Sequence, residues 1–315
     1  MRGALAAALI VLLVAVGVAG AATTPVKLTG LTAWASAGSR LAFVATSAGG
    51  RRGYLWTQPD GSATPRALRT TPPIGEEEID ALAAGPDGTW ACLESAVGNT
   101  TSSYSVDVVS SRGGGAQVTT GSTPILLAGD GTFLGYLAVA PAGGVQLYRI
   151  SGARGIRVAD LAGVSAPQEV AAANGHLAVR QADGSVAVFT DVGARLATIP
   201  AKAASIALTS NRVVVRTRDK RLVVYGLRGG LVHDWRLAAA SWTAGLAGYG
   251  RYAIYLGANK AVHAVRLSNG SDRIVARAGR GFFFGGVALQ AAGALVPLTT
   301  GQATTFRFVR TSLLG

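Results

Sequence analysis

Apolar positions along this chain fall in short blocks, each opened by a small or polar turn, and turn and block return about every forty residues. The turns read Gly38-Ser39-Arg40-Leu41-Ala42, Asp87-Gly88-Thr89-Trp90-Ala91, Asp130-Gly131-Thr132-Phe133-Leu134, Asn174-Gly175-His176-Leu177, Asn211-Arg212-Val213-Val214, Gly250-Arg251-Tyr252-Ala253 and Gly293-Ala294-Leu295-Val296. Gly, Asn and Asp suit tight turns, and short apolar blocks bounded by such turns are strands. A recurring period in an all-strand chain means that each unit leaves an apolar face which only its neighbours can cover. The pattern predicts seven such units.

Residues 176–189 align with residues 212–225 at a constant offset of 36. Each segment pairs two apolar strands across a turn containing Asp183 or Asp219, which reads as a hairpin in a largely buried sheet. A small-residue strand precedes the hairpin (169–173, 205–209) and a more polar strand follows it (195–199, 272–276). Four strands with small residues innermost and polar residues outermost describe the blade of a β-propeller, whose crowded axis favours Ala and Gly. The expected fold is therefore all-β, a seven-bladed β-propeller of four-stranded antiparallel blades. The spacing is uneven, 44 residues from Asp130 to Asn174 against 36 from His176 to Arg212, which leaves a shortened blade or a ring of six plus a partial unit open. The last unit offers three strands (282–289, 294–298, 305–310). Pro25-Val26-Lys27-Leu28-Thr29 resembles the outer strands of the first units, so this N-terminal strand is expected to complete the last blade.

Ahead of that strand, Met1-Arg2, an apolar stretch from Ala4 to Ala22 and then Thr23-Thr24-Pro25 have the layout of an export signal helix. Ala19-Gly20-Ala21 supplies the small residues that cleavage needs, so residues 1–21 read as a signal peptide and residues 22–315 as the propeller domain. The same stretch is just long enough to span a bilayer, and an uncleaved N-terminal anchor is the alternative. In either case the domain is expected to be secreted or extracytoplasmic, with membrane contact only through that helix.

The first unit carries Ser36-Ala37-Gly38-Ser39-Arg40-Leu41-Ala42-Phe43 and, later, Tyr54-Leu55-Trp56-Thr57-Gln58-Pro59-Asp60-Gly61; the second carries Gly85-Pro86-Asp87-Gly88. These segments resemble the repeat of TolB-type propellers, in which a Ser-Pro-Asp-Gly-like turn leads into Leu-Ala-Phe and a later aromatic strand ends in Asp-Gly. The resemblance covers two units, and the other units share only the rhythm. It implies a periplasmic propeller that binds other envelope proteins.

The chain holds 29 Lys+Arg against 16 Asp+Glu, a formal net charge of +13. The basic residues are spread over nearly every unit, and Arg outnumbers Lys 25 to 4 beside abundant Ala and Gly, which reflects genomic base composition more than a binding face. The interleaved aromatic and basic residues of a nucleic-acid surface are missing, so no nucleic-acid partner is expected. The expected partner is another envelope or extracellular protein, or an anionic cell-wall polymer, met by a monomer. Cys92 is the single cysteine, so no intramolecular disulfide forms, and Ala91 and Leu93 beside it mark a buried thiol.

Chemistry is sparse. His176, His233 and His263 occupy three different places in their units, and no His-x-His, His-Glu-x-x-His or Cys-x-x-Cys spacing occurs, so neither a metal nor a cofactor is expected. Asp60, Asp87, Asp130 and Asp183 each precede a glycine in a turn, where Asp bonds local backbone. The exception is the acidic run Glu76, Glu77, Glu78 and Asp80, which leads into the second unit; it is expected at the mouth of the central channel as a candidate site for a cation or a basic peptide. Its basic counterpart is Arg216, Arg218, Lys220 and Arg221, straddling the hairpin turn of the fifth unit as a candidate contact for an anionic polymer or lipid headgroup. No catalytic residue is assigned, because the carboxylates outside turns form no obvious pair of the kind a glycosidase needs. The leading expectation is a non-enzymatic protein- or ligand-binding scaffold in the bacterial cell envelope or extracellular space. The rival is a propeller hydrolase or lyase acting on cell-wall or extracellular carbohydrate, with acids contributed by loops distant in sequence.

Overall fold

Within the four-stranded sheets the apolar blocks are strands that pair antiparallel with their sequence neighbours. In the computed structural model, residues 22–310 and 312 are described, apart from 30–32, 38–39, 48–49, 57–65, 71–76, 98–101, 111–114, 238–244, 282, 292 and 301–302. Residues 1–21, and with them the expected signal helix or anchor, lie outside the described residues. No helix among the described residues is long and apolar enough to cross a membrane.

After β1 (Ala22–Thr29), four-stranded sheets follow one another along the chain. The first blade holds β2 (Ala33–Ala37), β3 (Arg40–Ser47), β4 (Gly50–Trp56) and β5 (Arg66–Thr70). The second holds β6 (Glu77–Ala84), β7 (Trp90–Val97), β8 (Ser102–Val109) and β9 (Gly115–Gln117). In the third are β10 (Thr123–Gly129), β11 (Leu134–Val139), β12 (Val145–Ser151) and β13 (Arg154–Asp160). The fourth has β14 (Pro167–Ala173), β15 (His176–Gln181), β16 (Val186–Thr190) and β17 (Arg195–Ile199). β18 (Ala203–Leu208), β19 (Arg212–Thr217), β20 (Arg221–Gly226) and β21 (Leu231–Arg236) make the fifth. β22 (Leu246–Tyr249), β23 (Tyr252–Gly257), β24 (Ala261–Arg266) and β25 (Asp272–Arg277) make the sixth.

The expectation of seven four-stranded blades is corrected here: among the described residues six blades have that form, not seven. The remaining sheet is a five-stranded composite of β26 (Phe283–Phe284), β27 (Ala288–Gln290), β28 (Gly293–Thr300), β29 (Ala303–Arg310) and β1. Pro297 supplies the reason. It lies in β28 and has no N–H to give to a neighbouring strand, so the strand beside it breaks: Phe284 pairs with Leu298, Ala288 pairs with Leu295, and between them Gly285 bonds the Pro297 carbonyl at 3.0 Å. On the other side of this sheet β1 pairs antiparallel with β29, Ala22 opposite Phe308 and Thr29 opposite Ala303. The N-terminal strand thus closes the sheet that the C-terminal strands begin.

The inner strands stand side by side around an axis in the order β2, β6, β10, β14, β18, β22, β27, and β27 returns to β2. The core lies between sheets. In β15, Leu177 and Val179 pack toward the third blade while Ala178 packs toward the fifth. Successive side chains of a strand point to opposite faces, so a strand covered on both faces is apolar throughout. The same holds where the ring closes: Leu41 and Phe43 of the first blade meet Leu295 and Phe306 of the composite sheet, with the Phe43 and Phe306 rings 5.8 Å apart.

Candidate functional site

At one end of the ring, the turns after β6, β10, β14, β18 and β22 converge on the axis and enclose a cavity of about 740 Å³. Ser36, Gly85, Asp130, Asn174, Thr209, Tyr249 and Leu289 line it from successive sheets. Its shape follows from turn chemistry. Asp87 and Asn174 adopt φ of 54° and 46°, a left-handed backbone that Asp and Asn tolerate by bonding locally. Oδ1 of Asp130 accepts the Thr132 and Phe133 N–H groups at 2.8 and 2.7 Å and the Thr132 hydroxyl at 2.8 Å, while Oδ2 accepts the Asn174 N–H of the next blade at 2.8 Å. Gly131 N–H reaches back to the Ala84 carbonyl of the previous blade at 3.1 Å. The turns of the second, third and fourth blades are therefore stitched together.

Deeper in the channel, a narrower space of about 300 Å³ is walled by the inner strands, among them Ala83, Ala171, Ala207 and Ala247. Small side chains let the strands crowd the axis. Glu169, also in this wall, is the charged exception. Its Oε2 accepts Arg180 Nε at 2.9 Å, and its Oε1 accepts the Ile206 N–H of the fifth blade at 3.4 Å. Beside it Arg216, 1% exposed, donates from Nε to the Ser205 hydroxyl at 3.1 Å. Burial pushes the Glu169 carboxyl above the usual carboxylate range, against the opposing pull of Arg180, the Ile206 N–H and Arg216. Burial likewise lowers the Arg216 guanidinium, with Glu169 opposing. This cluster joins the fourth and fifth blades.

A second polar cluster lies within the sixth blade. His263 Nδ1 meets Asp272 Oδ1 at 2.9 Å, Tyr255 donates to Asp272 Oδ2 at 2.6 Å, and the Tyr255 and His263 rings stack 4.7 Å apart. Tyr255 and His263 are directly paired across β23 and β24, and Asp272 starts β25, so the cluster binds three strands of one blade. Among the described residues no group of three or more His, Cys, Asp or Glu side chains could hold a metal ion.

The acidic run is not at the cavity. Glu76 lies outside the described residues; Glu77 and Glu78 open β6 and Asp80 is exposed within it, whereas the cavity meets the far end of that strand at Gly85. Eight residues of strand hold the two ends roughly 23 Å apart. The basic quartet is also dispersed. Arg216 is buried in the cluster above, Arg218 and Lys220 are exposed at the turn, and Arg221 pairs with Asp234 at 2.7 Å. Strand alternation turns Arg216 inward, which a count of charges near a hairpin tip does not register. Cys92 is fully buried.

Sequence reasoning passed over Glu169, Arg180, Trp90 and Thr209. The signal for the first two was present: Arg180 and Arg216 occupy one repeat position 36 residues apart, an unusual place for arginine in an apolar strand. Trp90 and Thr209 line the cavity from the second and fifth blades, and both are 1% exposed. Their polar atoms, Trp90 Nε1 and Thr209 Oγ1, have no hydrogen-bond partner among the described residues.

No protein-family model and no curated protein matches the chain. Solved structures do. The WD40 β-propeller domain of Doa1 is similar with a TM-score of 0.61 at 10% identity, over 93% of this chain and 99% of that one. The computationally designed Ika8 protein is similar with a TM-score of 0.54 at 14% identity, over 92% of this chain and 100% of that one. Yeast RCC1 (Prp20), in its structure with Kap60, gives a TM-score of 0.56 at 12% identity, over 88% of this chain and 80% of that one. These likenesses establish the β-propeller arrangement.

Proposed function

We propose that this chain is an exported, non-enzymatic β-propeller that serves as a protein- or ligand-binding scaffold in the bacterial cell envelope or outside the cell. The observation that carries the reading is the mouth of the ring, where residues from successive sheets line one cavity and the turns of the second, third and fourth blades are tied together by Asp130, Asn174 and Gly131. A rigid rim assembled from many separate loops suits recognition, because each loop can vary without disturbing the strands beneath. One of the similar structures is RCC1 bound to Kap60, and another is Prp20p, which binds Gsp1p and histones; this supports a protein-binding role for the architecture. The export leader and the TolB-like first two units support placement in the envelope.

The cavity does hold two carboxylates, Asp87 and Asp130. The four hydrogen bonds that Asp130 accepts fix it as a turn brace, so the pair does not support acid–base chemistry. Two measurements test the proposal. Intact mass of the protein recovered from culture medium or periplasm should start at Ala22 or Thr23. Affinity capture from envelope extracts with the same protein should retain a stoichiometric partner that scrambled-rim variants lose. Retention of residues 1–21 in a cytoplasmic protein, or turnover of wall polysaccharide by the purified chain, would contradict it.

A further inference from the structure

We infer that the end of the ring opposite the mouth holds a linear polyanion of the envelope, laid along a belt of lysines and arginines that crosses the fourth, fifth and sixth blades. This rests on the reading of the ring as an envelope scaffold and names a partner class for one face. Strand direction builds the belt. Inner strands run toward the mouth, so the connections between blades and the turns between second and third strands fall at the other end. There Lys202 precedes β18, Arg218 and Lys220 lie between β19 and β20, Arg236 ends β21, Lys260 precedes β24 and Arg277 ends β25, all of them exposed. Backbone hydrogen bonds bring these segments together: the Arg218 N–H donates to the Lys202 carbonyl at 3.3 Å, the Leu237 N–H to the Lys220 carbonyl at 2.8 Å and the Ala278 N–H to the Lys260 carbonyl at 2.9 Å. Each basic turn therefore stands beside a connection that carries its own basic residue. The carboxylates nearby are engaged. Asp183 Oδ1 accepts the Ser185 N–H and hydroxyl at 2.8 and 2.7 Å. The Thr217 hydroxyl, with the Asp219 N–H, Arg221 and Lys202 behind it, holds the Asp219 carboxyl below the usual carboxylate range.

Base composition does not account for this placement. Arg outnumbers Lys 25 to 4, yet three of the four lysines, Lys202, Lys220 and Lys260, are here. Two of them sit on unfavourable backbone: Lys220 and Lys260 adopt φ of 65° and 56°, where the matching turn of the fourth blade has Gly184 at 84°. Glycine takes that left-handed conformation freely and lysine does not, so the charge is kept against local preference. The partner follows from what the belt lacks. Among the described residues of these blades, the exposed large apolar side chains are Val192, Leu231, Val232, Tyr249 and Ile274; the first four lie toward the mouth and Ile274 in mid-strand. No aromatic or aliphatic anchor is left at the belt for a protein hot spot, for insertion into lipid or for stacking of nucleic-acid bases. Neither cavity is lined by a described Lys or Arg, so a compact anion has no cradle. An extended chain of repeated negative charge meets the belt along its length and gains by releasing its counterions. The same end of the second blade carries the opposite sign, with Glu77, Glu78 and Asp80 early in β6, which confines such a chain to this arc.

The test titrates the purified protein, by calorimetry, with long-chain inorganic polyphosphate and with polygalacturonate, which separate phosphate from carboxylate as the source of charge. Orthophosphate, phosphatidylglycerol vesicles and a thymidine oligonucleotide are the contrasting probes. At least one linear polymer is expected to bind, and to weaken roughly a hundredfold or more between about 50 and 200 mM salt, while orthophosphate stays inert. Lys220→Gly/Lys260→Gly should weaken that polymer about tenfold and shallow the salt dependence. The same variant should keep or raise the melting temperature, because glycine suits the left-handed backbone at both positions. Arg154→Gln/Arg251→Gln removes equal charge from turns at the mouth end and should bind as the parent does. The inference is overturned if neither polymer binds, if the lysine pair binds as the parent, if the mouth pair weakens binding equally, or if vesicles or oligonucleotide bind more tightly than the polymers. Failure here, with a protein partner still captured from envelope extracts, leaves the scaffold reading standing.

Discussion

The hydroxyl of Tyr136 occupies the place where a side chain at Gly155 would begin: a β-carbon built on Gly155 would lie 2.1 Å from that oxygen. Tyr136 is fully buried and stacks on Tyr148 with ring centroids 4.9 Å apart, so it has no room to yield. Gly155→Ala should therefore destabilise the fold by about 1–3 kcal/mol, the usual cost of overpacking. Tyr136→Phe alone should be nearly neutral at pH 7, since the hydroxyl has no hydrogen-bond partner among the described residues. Combined with Gly155→Ala it should recover only part of the loss, since Cζ and Cε1 of the ring would still lie 2.9 and 3.1 Å from the added carbon. Urea denaturation of the four proteins gives this coupling directly.

The same hydroxyl makes the fold sensitive to alkali. Burial, followed by the neighbouring Tyr148, raises the Tyr136 phenol from 10.0 to about 12. Between those values the unfolded chain gives up the proton while the folded chain keeps it. The contribution is complete below pH 10 and is lost as pH rises toward 12, by about 2–3 kcal/mol at roughly 1.4 kcal/mol per pH unit. Tyr255 is pushed upward as well, by burial and by Asp272, so Tyr136→Phe should flatten part of the alkaline limb and leave the rest. Melting temperatures measured from pH 8 to 12 check this.

Gly129 sets how closely the second and third blades approach at the cavity. A β-carbon there would stand 2.3 Å from the Ala84 carbonyl oxygen, which also accepts the Gly131 N–H. Backbone cannot move aside as a side-chain tip can. Gly129→Ala should cost about 1–3 kcal/mol and loosen the mouth, seen as a lower urea midpoint and faster amide exchange at Gly131.

Asp272 is the shared acceptor of Tyr255 and His263. Asp272→Ala leaves a buried phenol and a buried imidazole without it and should cost about 1–3 kcal/mol or more, whereas Asp272→Asn keeps one acceptor oxygen and should cost less. Urea midpoints of the two variants rank the loss. Equal stability of both with the parent would show that the cluster is inert.

What could be read from the sequence was whatever a single strand or turn encodes. The Asp-Gly and Asn-Gly turns at 87, 130 and 174 mark hairpins because left-handed backbone and side-chain bonding to local N–H groups demand those residues, and these turns line the cavity. The segment at 25–29 was legible as a strand in search of a partner, which it finds in β29. Features made by two strands distant in sequence were not legible. Pro297 in β28 breaks the strand opposite it and turns an expected three-strand remnant into the composite sheet. Glu169 meets Ile206 only across a blade boundary, and Arg216 reads as a tip charge until strand alternation turns it inward. Glu77, Glu78 and Asp80 enter the second blade from the end of β6 away from the cavity, and Glu76 lies outside the described residues.

Closure of the ring by β1 is the claim on which cavity and scaffold both depend, and a cross-strand disulfide tests it most directly. Thr23 and Arg307 are partners across β1 and β29, within reach of a disulfide, whereas Thr304 is the partner of Leu28. With Cys92 replaced by Ala, Thr23→Cys/Arg307→Cys should oxidise to a single intramolecular disulfide, detected by intact mass. Thr23→Cys/Thr304→Cys should stay reduced. Equal oxidation of both pairs, or none in the first, would contradict a ring closed in this register.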